Sequence, residues 1–167
     1  FELLQDPYGR AFWPEFKGRD GCRTPMPWTA DAPNAGFSTG TPWLPVDGAH
    51  LPLAVAQQEG DPDSMLAFSR ALLHWRRTQP LLRTGALAFV DAPAPLLHIV
   101  RSEGDAVLHA IFNTGIEPVS IPLPEPLVPL AGHPLAPTAT VTAAPKPLLT
   151  LAPYGVCFGT PAEAGGR

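Results

Sequence analysis

No helix and no central strand can pass through Gly18-Arg19-Asp20-Gly21-Cys22-Arg23-Thr24-Pro25-Met26-Pro27-Trp28. Two glycines and two prolines in eleven residues break either ladder of hydrogen bonds. The glycines permit tight backbone paths, and the prolines fix the exit toward Trp28. Two readings of the run follow. It is a surface turn with solvated charges, or it is a stiff loop that holds a guanidinium in one place. A held guanidinium reads hydroxyls or a carboxylate through its fork of donors.

The 167 residues suffice for one domain of ordinary size. The first residue is Phe1, and no basic start leads into an apolar run, so the sequence predicts no signal peptide. No apolar stretch approaches the roughly 20 residues that span a bilayer. A formal charge of −4 argues against nucleic acid or an anionic membrane as partner. Cys22 and Cys157 lie far apart and make no disulfide framework, so free thiols and a cytoplasmic setting are expected. The 23 prolines and 15 glycines reach a level that can signal disorder, but 45% hydrophobic residues and four tryptophans require a packed core.

Residues 1–47 read as a long connection without helical or strand period, carrying Phe1, Tyr8, Phe12, Trp13, Phe16, Trp28, Phe37 and Trp43 as aromatic anchors. Burial among the prolines is the expected role of these rings. Residues 48–60 read as an extended lead-in. A helix is predicted from Asp61, with Asp61 as N-cap, Pro62 in the first turn, and Met65, Phe68, Leu72 and Trp75 on one face, widened by Leu66 and Leu73. Pro80 is expected to stop it. From Gly85 the period changes to two. Strands are predicted over 86–90, 96–100, 106–112, 119–123, 148–151 and 156–158, separated by turns at 91–93, 102–105, 113–115 and 153–155. Such a series makes an antiparallel sandwich. Residues 124–147, rich in Pro, Ala and Thr, are left as a loose or partly disordered meander.

The run 18–28, followed by Ala35-Gly36-Phe37 and Pro42-Trp43-Leu44-Pro45-Val46, resembles the C-terminal third of an α-glucosidase of glycoside hydrolase family 13. The likeness is to the bacterial α-glucosidase and oligo-1,6-glucosidase branch. It begins at Leu4-Gln5-Asp6-Pro7-Tyr8-Gly9, passes Asp61-Pro62-Asp63-Ser64, and ends at Trp75-Arg76-Arg77-Thr78-Gln79-Pro80. The resemblance implies a mixed fold. Residues 1–82 would supply the final βα loop and last helix of an incomplete (β/α)8 barrel, 83–160 an antiparallel β-sandwich, and 161–167 a tail. Thr29 departs from the acidic residue expected after Trp28.

A retaining glycosidase needs two carboxylates roughly 5 Å apart. Glu2, Asp6, Glu15, Asp20, Asp31, Asp47 and Glu59 precede the helix, and none stands in the apolar strand-end context of a barrel catalyst. In the family the reactive carboxylates lie on earlier barrel strands, so this polypeptide alone is expected to hydrolyse nothing. By resemblance, Arg23 pairs with an aspartate from an early barrel loop and with it holds hydroxyls of a terminal glucose, and Glu2 contacts the acceptor sugar. Arg19 and Asp20 are read as loop supports. The implied partner is an α-glucoside oligosaccharide. Cys22 is expected to be small packing, and His98 and His109 hydrogen-bonded fillers on strand faces. The five histidines lack metal-ligand spacing, and no cofactor is implied. Two alternatives stand beside this reading. One is a non-catalytic β-sandwich that binds carbohydrate or a protein, marked by aromatic rings exposed on one face. The other is a transglycosylating relative such as a sucrose isomerase or trehalose-forming enzyme.

Overall fold

A computed structural model describes residues 1–135, 138–142 and 146–162. The chain forms two compact units, Phe1–Ser69 and Arg70–Arg167.

The first unit is built from turns and short helices. Helix α1 (Pro7–Ala11) is capped by Asp6, whose Oδ1 accepts the Tyr8 amide at 3.0 Å, with Pro7 at the first helical position. A 3-10 turn covers Asp20–Cys22, another Pro33–Gly36 and a third Gly48–Leu53. Helix α2 spans Val55–Glu59. Residues 48–60 are thus helical turns and not an extended lead-in. Asp47 starts them by accepting the Ala49 amide, and the carbonyls of Pro27 and Trp28 take the free amides of Val55 and Ala56. Asn34, Ala35 and Gly36 lie consecutively at positive φ (50°, 52° and 71°). This left-handed turn aims the Ala35 carbonyl at the amides of Trp28 and Thr29, at 2.8 and 3.1 Å. The eight aromatic anchors are not buried here. Their exposure runs from 41% for Trp13 to 64% for Trp43. A unit of short turns has no sheet to lay them on, and its interior holds small or single side chains such as Ala35, Leu44 and Ala54.

Helix α3 (Met65–Arg77) starts four residues after the predicted cap. Asp61 makes an Asx turn to the Asp63 amide, while the buried Ser64 hydroxyl accepts the Ala67 amide. The boundary between the units falls inside this helix. The predicted stripe is fully buried only at Trp75: Leu66, Phe68 and Leu72 are half-buried, and Met65 and Leu73 exposed. Pro80 does not merely stop the helix. It opens a new one, α4 (Pro80–Thr84), at the position where a missing N–H costs nothing.

Eight strands follow among the described residues: β1 (Ala86–Val90), β2 (Leu96–Glu103), β3 (Ala106–Asn113), β4 (Val119–Pro122), β5 (Leu127–Pro129), β6 (Ala139–Thr142), β7 (Leu148–Leu151) and β8 (Val156–Pro161). One antiparallel sheet runs β1-β2-β3-β8-β5 and the other β4-β7-β6. β5 and β6 fall in the stretch read as a meander. Both are edge strands of three or four residues, and Pro129 sits where an edge tolerates a missing donor. Residues 136–137 and 143–145 of that stretch, and 163–167 of the expected tail, lie outside the described residues. The central strand β3 alternates. Leu108 and Ala110 join Trp75, Val156 and Phe158, with Leu81 and Leu82 of α4 against them. Ile111 faces the other way, into a core with Leu127, Leu149, Leu151 and Cys157 shared by both sheets.

Candidate functional site: two aspartates beneath two arginines

The predicted loop is organised by two carboxylates. Asp20 Oδ2 accepts the amides of Gln5 (2.6 Å) and Asp6 (2.9 Å). Asp6 Oδ2 accepts the amide of Arg19 at 3.0 Å and its Nε at 3.4 Å. Arg23 brings Nη1 to 4.0 Å from the same oxygen. Asp6 is 1% and Asp20 6% exposed, whereas the Arg23 side chain is 41% exposed. The Arg23 amide closes the turn on the Asp20 carbonyl at 2.9 Å. The hydrogen bond from the Arg19 amide holds the Asp6 carboxyl below its ordinary range, against burial, which acts in the opposite sense; the Tyr8 amide and the Arg19 guanidinium add to the lowering.

The sequence explains the clasp locally. Gly18 sits at φ 75°, and a Cβ there would meet Asp6 Cβ at 2.9 Å and Gly9 Cα at 3.0 Å. The returning strand of the loop therefore crosses α1 at a glycine–glycine contact, which presents the Arg19 amide to Asp6. Gly21 needs no such freedom, since a Cβ there would meet nothing within 4 Å.

Each expected site residue has a defined place. Arg19, Asp20 and Arg23 come together around Asp6. Asp20 ties the loop to the 5–6 backbone. Glu2 does not join this cluster; it lines a neighbouring groove of about 600 Å³ with Gln5, Asn34 and Trp43. Cys22 is exposed, not packed, and its Sγ donates to the Arg19 carbonyl at 2.9 Å, because the 3-10 turn directs it outward. Asp6 was missed. Its signal lay in its position: an Asp-Pro step opening a helix marks an N-cap, and a capping aspartate keeps a second oxygen free.

In the second unit His98 Nε2 and His109 Nδ1 share a hydrogen bond of 2.8 Å, as the filler reading requires. They line a cavity of about 490 Å³ with Pro93, Ile121, Leu123 and Glu125. Burial lowers the basicity of both rings. The neighbouring His109 adds to this at His98, and Glu125 opposes it at His109. Cys157 is a free thiol, pushed up by burial. Phe112 and Phe158 are packed edge to face, while Phe89 and Tyr154 stand exposed. Among the described residues no three His, Cys, Asp or Glu side chains assemble as metal ligands, and no helix is long and apolar enough to cross a membrane.

The chain is similar to known proteins in sequence and in fold. Residues 6–85 match the alpha amylase catalytic domain. The probable alpha-glucosidase of Rhizobium meliloti is 49% identical over 134 residues, which is 80% of this chain and 24% of that protein. The oligo-1,6-glucosidase of Parageobacillus thermoglucosidasius is 31% identical over 114 residues, or 68% of this chain and 20% of the relative. The crystal structure of the alpha-glucosyl transfer enzyme XgtA superposes with a TM-score of 0.82 at 41% identity, covering 97% of this chain and 30% of that one. Trehalulose synthase MutB from Pseudomonas mesoacidophila gives 0.65 at 28% identity, over 95% and 32%. The chain thus spans about a fifth to a third of these proteins' length. Through residues 6–85, with the Asp6–Arg23 clasp inside them, the chain belongs to glycoside hydrolase family 13, the family of the alpha-amylase catalytic domain.

Proposed function

We propose that this chain forms part of an α-glucosidase that releases terminal α-linked glucose from oligosaccharides with retention. Residues 1–82 supply the final loop and last helix of the (β/α)8 barrel, and 83–160 the C-terminal β-sandwich. Arg23 contacts hydroxyls of the bound glucose, Glu2 the acceptor sugar, and Arg19 and Asp20 support the loop. The nucleophile and acid/base come from other strands of the barrel, so the chain alone is inactive. Two free cysteines, one of them exposed, suit a cytoplasmic setting.

The observation that carries this reading is a buried carboxylate with two exposed guanidiniums over it, inside the stretch that matches a catalytic domain. Such guanidiniums are fixed on one side and keep donors for a ligand on the other. The test uses the Rhizobium meliloti relative with its matching segment replaced by this chain. Arg23→Ala in that enzyme is expected to raise KM and lower kcat. The combined loss in kcat/KM is about 10- to 100-fold, as for losing one or two charge-assisted hydrogen bonds. Unchanged kinetics on an aryl α-glucoside would defeat the assignment.

A second reading draws on the likeness to the glucosyl transfer enzyme. The same covalent glucosyl intermediate passes to a sugar hydroxyl in place of water. Product analysis at high acceptor concentration separates the two: free glucose alone supports hydrolysis, and lengthened oligosaccharides support transfer.

A further inference from the structure

We propose that Asp6 is the positioning residue for Arg23, holding its guanidinium at the sugar-facing side of the loop; this rests on the sugar contact assigned above. The sequence reading gave Asp6 no role, and its placement argues otherwise. It is the most deeply buried charge of the clasp, and a buried carboxylate is stable only with donors and counter-charge around it. Its Oδ1 is used by the cap on α1. Its Oδ2 takes the Arg19 amide and Nε and lies 4.0 Å from Arg23 Nη1. Arg23 is hydrogen-bonded through its backbone amide to the Asp20 carbonyl, and its guanidinium lies within ion-pair reach, 4.0 Å, of the Asp6 carboxylate. Asp20 in turn fixes the Asp6 amide, so the anion cannot drift from beneath the arginine. A guanidinium tethered at one corner loses little further entropy on meeting a hydroxyl, which is how positioning lowers KM and raises kcat together.

A role exerted through Arg23 differs measurably from a merely structural one. Four enzymes are compared on the Rhizobium meliloti scaffold carrying this chain: unmodified, Asp6→Asn, Arg23→Ala and the double variant. Thermal melts are recorded alongside kcat and KM. Asp6→Asn is expected to lower kcat/KM about 10-fold in the unmodified background and less than about 3-fold when Arg23 is already Ala. An equal factor in both backgrounds overturns the positioning role while leaving the sugar contact intact. A harmless Arg23→Ala overturns the sugar contact and removes the premise. If Asp6→Asn gives no cooperative melt, side-chain 15N relaxation of this chain without substitution decides. Arg23 Nε as ordered as the loop backbone upholds the tether, and Arg23 Nε as mobile as that of the exposed Arg77 sinks it.

Discussion

Asp20 Oδ2 accepts the Asp6 amide at 2.9 Å, while Asp6 Oδ2 accepts the amide of Arg19, the residue just before Asp20. Each aspartate thus binds backbone next to or belonging to the other. The arrangement closes a loop of fifteen residues, from Asp6 to Asp20, without a disulfide or a sheet. Its hydrogen bonds run from neutral amides to charged oxygens, the stronger kind, and the one from the Asp6 amide to Asp20 lies where water is excluded.

The two glycines of the loop must then respond differently to the same substitution. Gly18→Ala places a methyl within 2.9 Å of Asp6 Cβ at a positive φ, so the carboxylate or the crossing must move. It is expected to destabilise the first unit by about 2 kcal/mol or more. Gly21→Ala meets open space and should change stability by less than about 0.5 kcal/mol. Denaturant midpoints followed through the tryptophans of residues 1–69 measure both, and equal shifts would mean the crossing is not what sets the loop.

Acid should open the same clasp. The Asp6 carboxyl titrates below its ordinary value of 3.8 in the fold, so its stabilising share is complete above that value and is lost as pH falls through the lower, folded one. The Tyr8 and Arg19 amides, which point at its two oxygens, are expected to lose their resolved chemical shifts together as pH falls below 3.8 through that lower value. An Asp6 side-chain 13C titration midpoint at or above 3.8 would contradict this.

What the sequence made legible follows the range of the forces involved. The strands β1 to β4, β7 and β8 were readable because alternation along the strand, or a short apolar run between turns, reports a buried face directly. β5 and β6 were not, since Leu127–Pro129 and Ala139–Thr142 are too short to show a period and owe their pairing to neighbours far along the chain. The start of α3 was misplaced because Asp61 and Ser64 are both good caps, and the buried hydroxyl of Ser64 decided between them. The arginine loop was found by its glycines and prolines. Asp6 was not, because its second oxygen meets Arg19 and Arg23 through a fold that brings residues 13 and 17 positions away beside it.

Asn113 offers a test of the second unit. It is 2% exposed, yet its Nδ2 donates to the carbonyls of Glu117 (2.7 Å) and Ala152 (2.9 Å) and its Oδ1 accepts the Gly115 amide (2.9 Å). One side chain therefore ties the β3–β4 turn to the end of β7. Asn113→Ala is expected to cost about 2–3 kcal/mol by leaving these groups unpaired, and Asn113→Asp more, because it sets lone pairs against two carbonyls. Thermal unfolding of the β-sheet signal checks both. A loss under about 0.5 kcal/mol would show that water replaces the side chain freely.

The pair His98–His109 predicts a pH dependence of opposite origin to the clasp. His98 pairs across from Ile111 and His109 from Val100, so the two rings sit diagonally on neighbouring strands and share one proton at 2.8 Å. Asp91 and Glu125 line the same cavity, and Glu125 opposes the lowering at His109, yet burial outweighs it and keeps both rings below their ordinary 6.5. The unfolded chain takes up protons near 6.5 that the folded pair refuses. Stability from this pair is therefore complete above 6.5 and falls as pH drops below it toward the folded values. The melting temperature of the sheets should decline as pH falls from about 6.5 to about 5, well before the carboxylates titrate. His98→Gln/His109→Gln keeps a hydrogen-bonding pair that cannot ionise, and should flatten that slope. A slope unchanged by the double substitution would assign the pH dependence to other groups and remove the pair as its source.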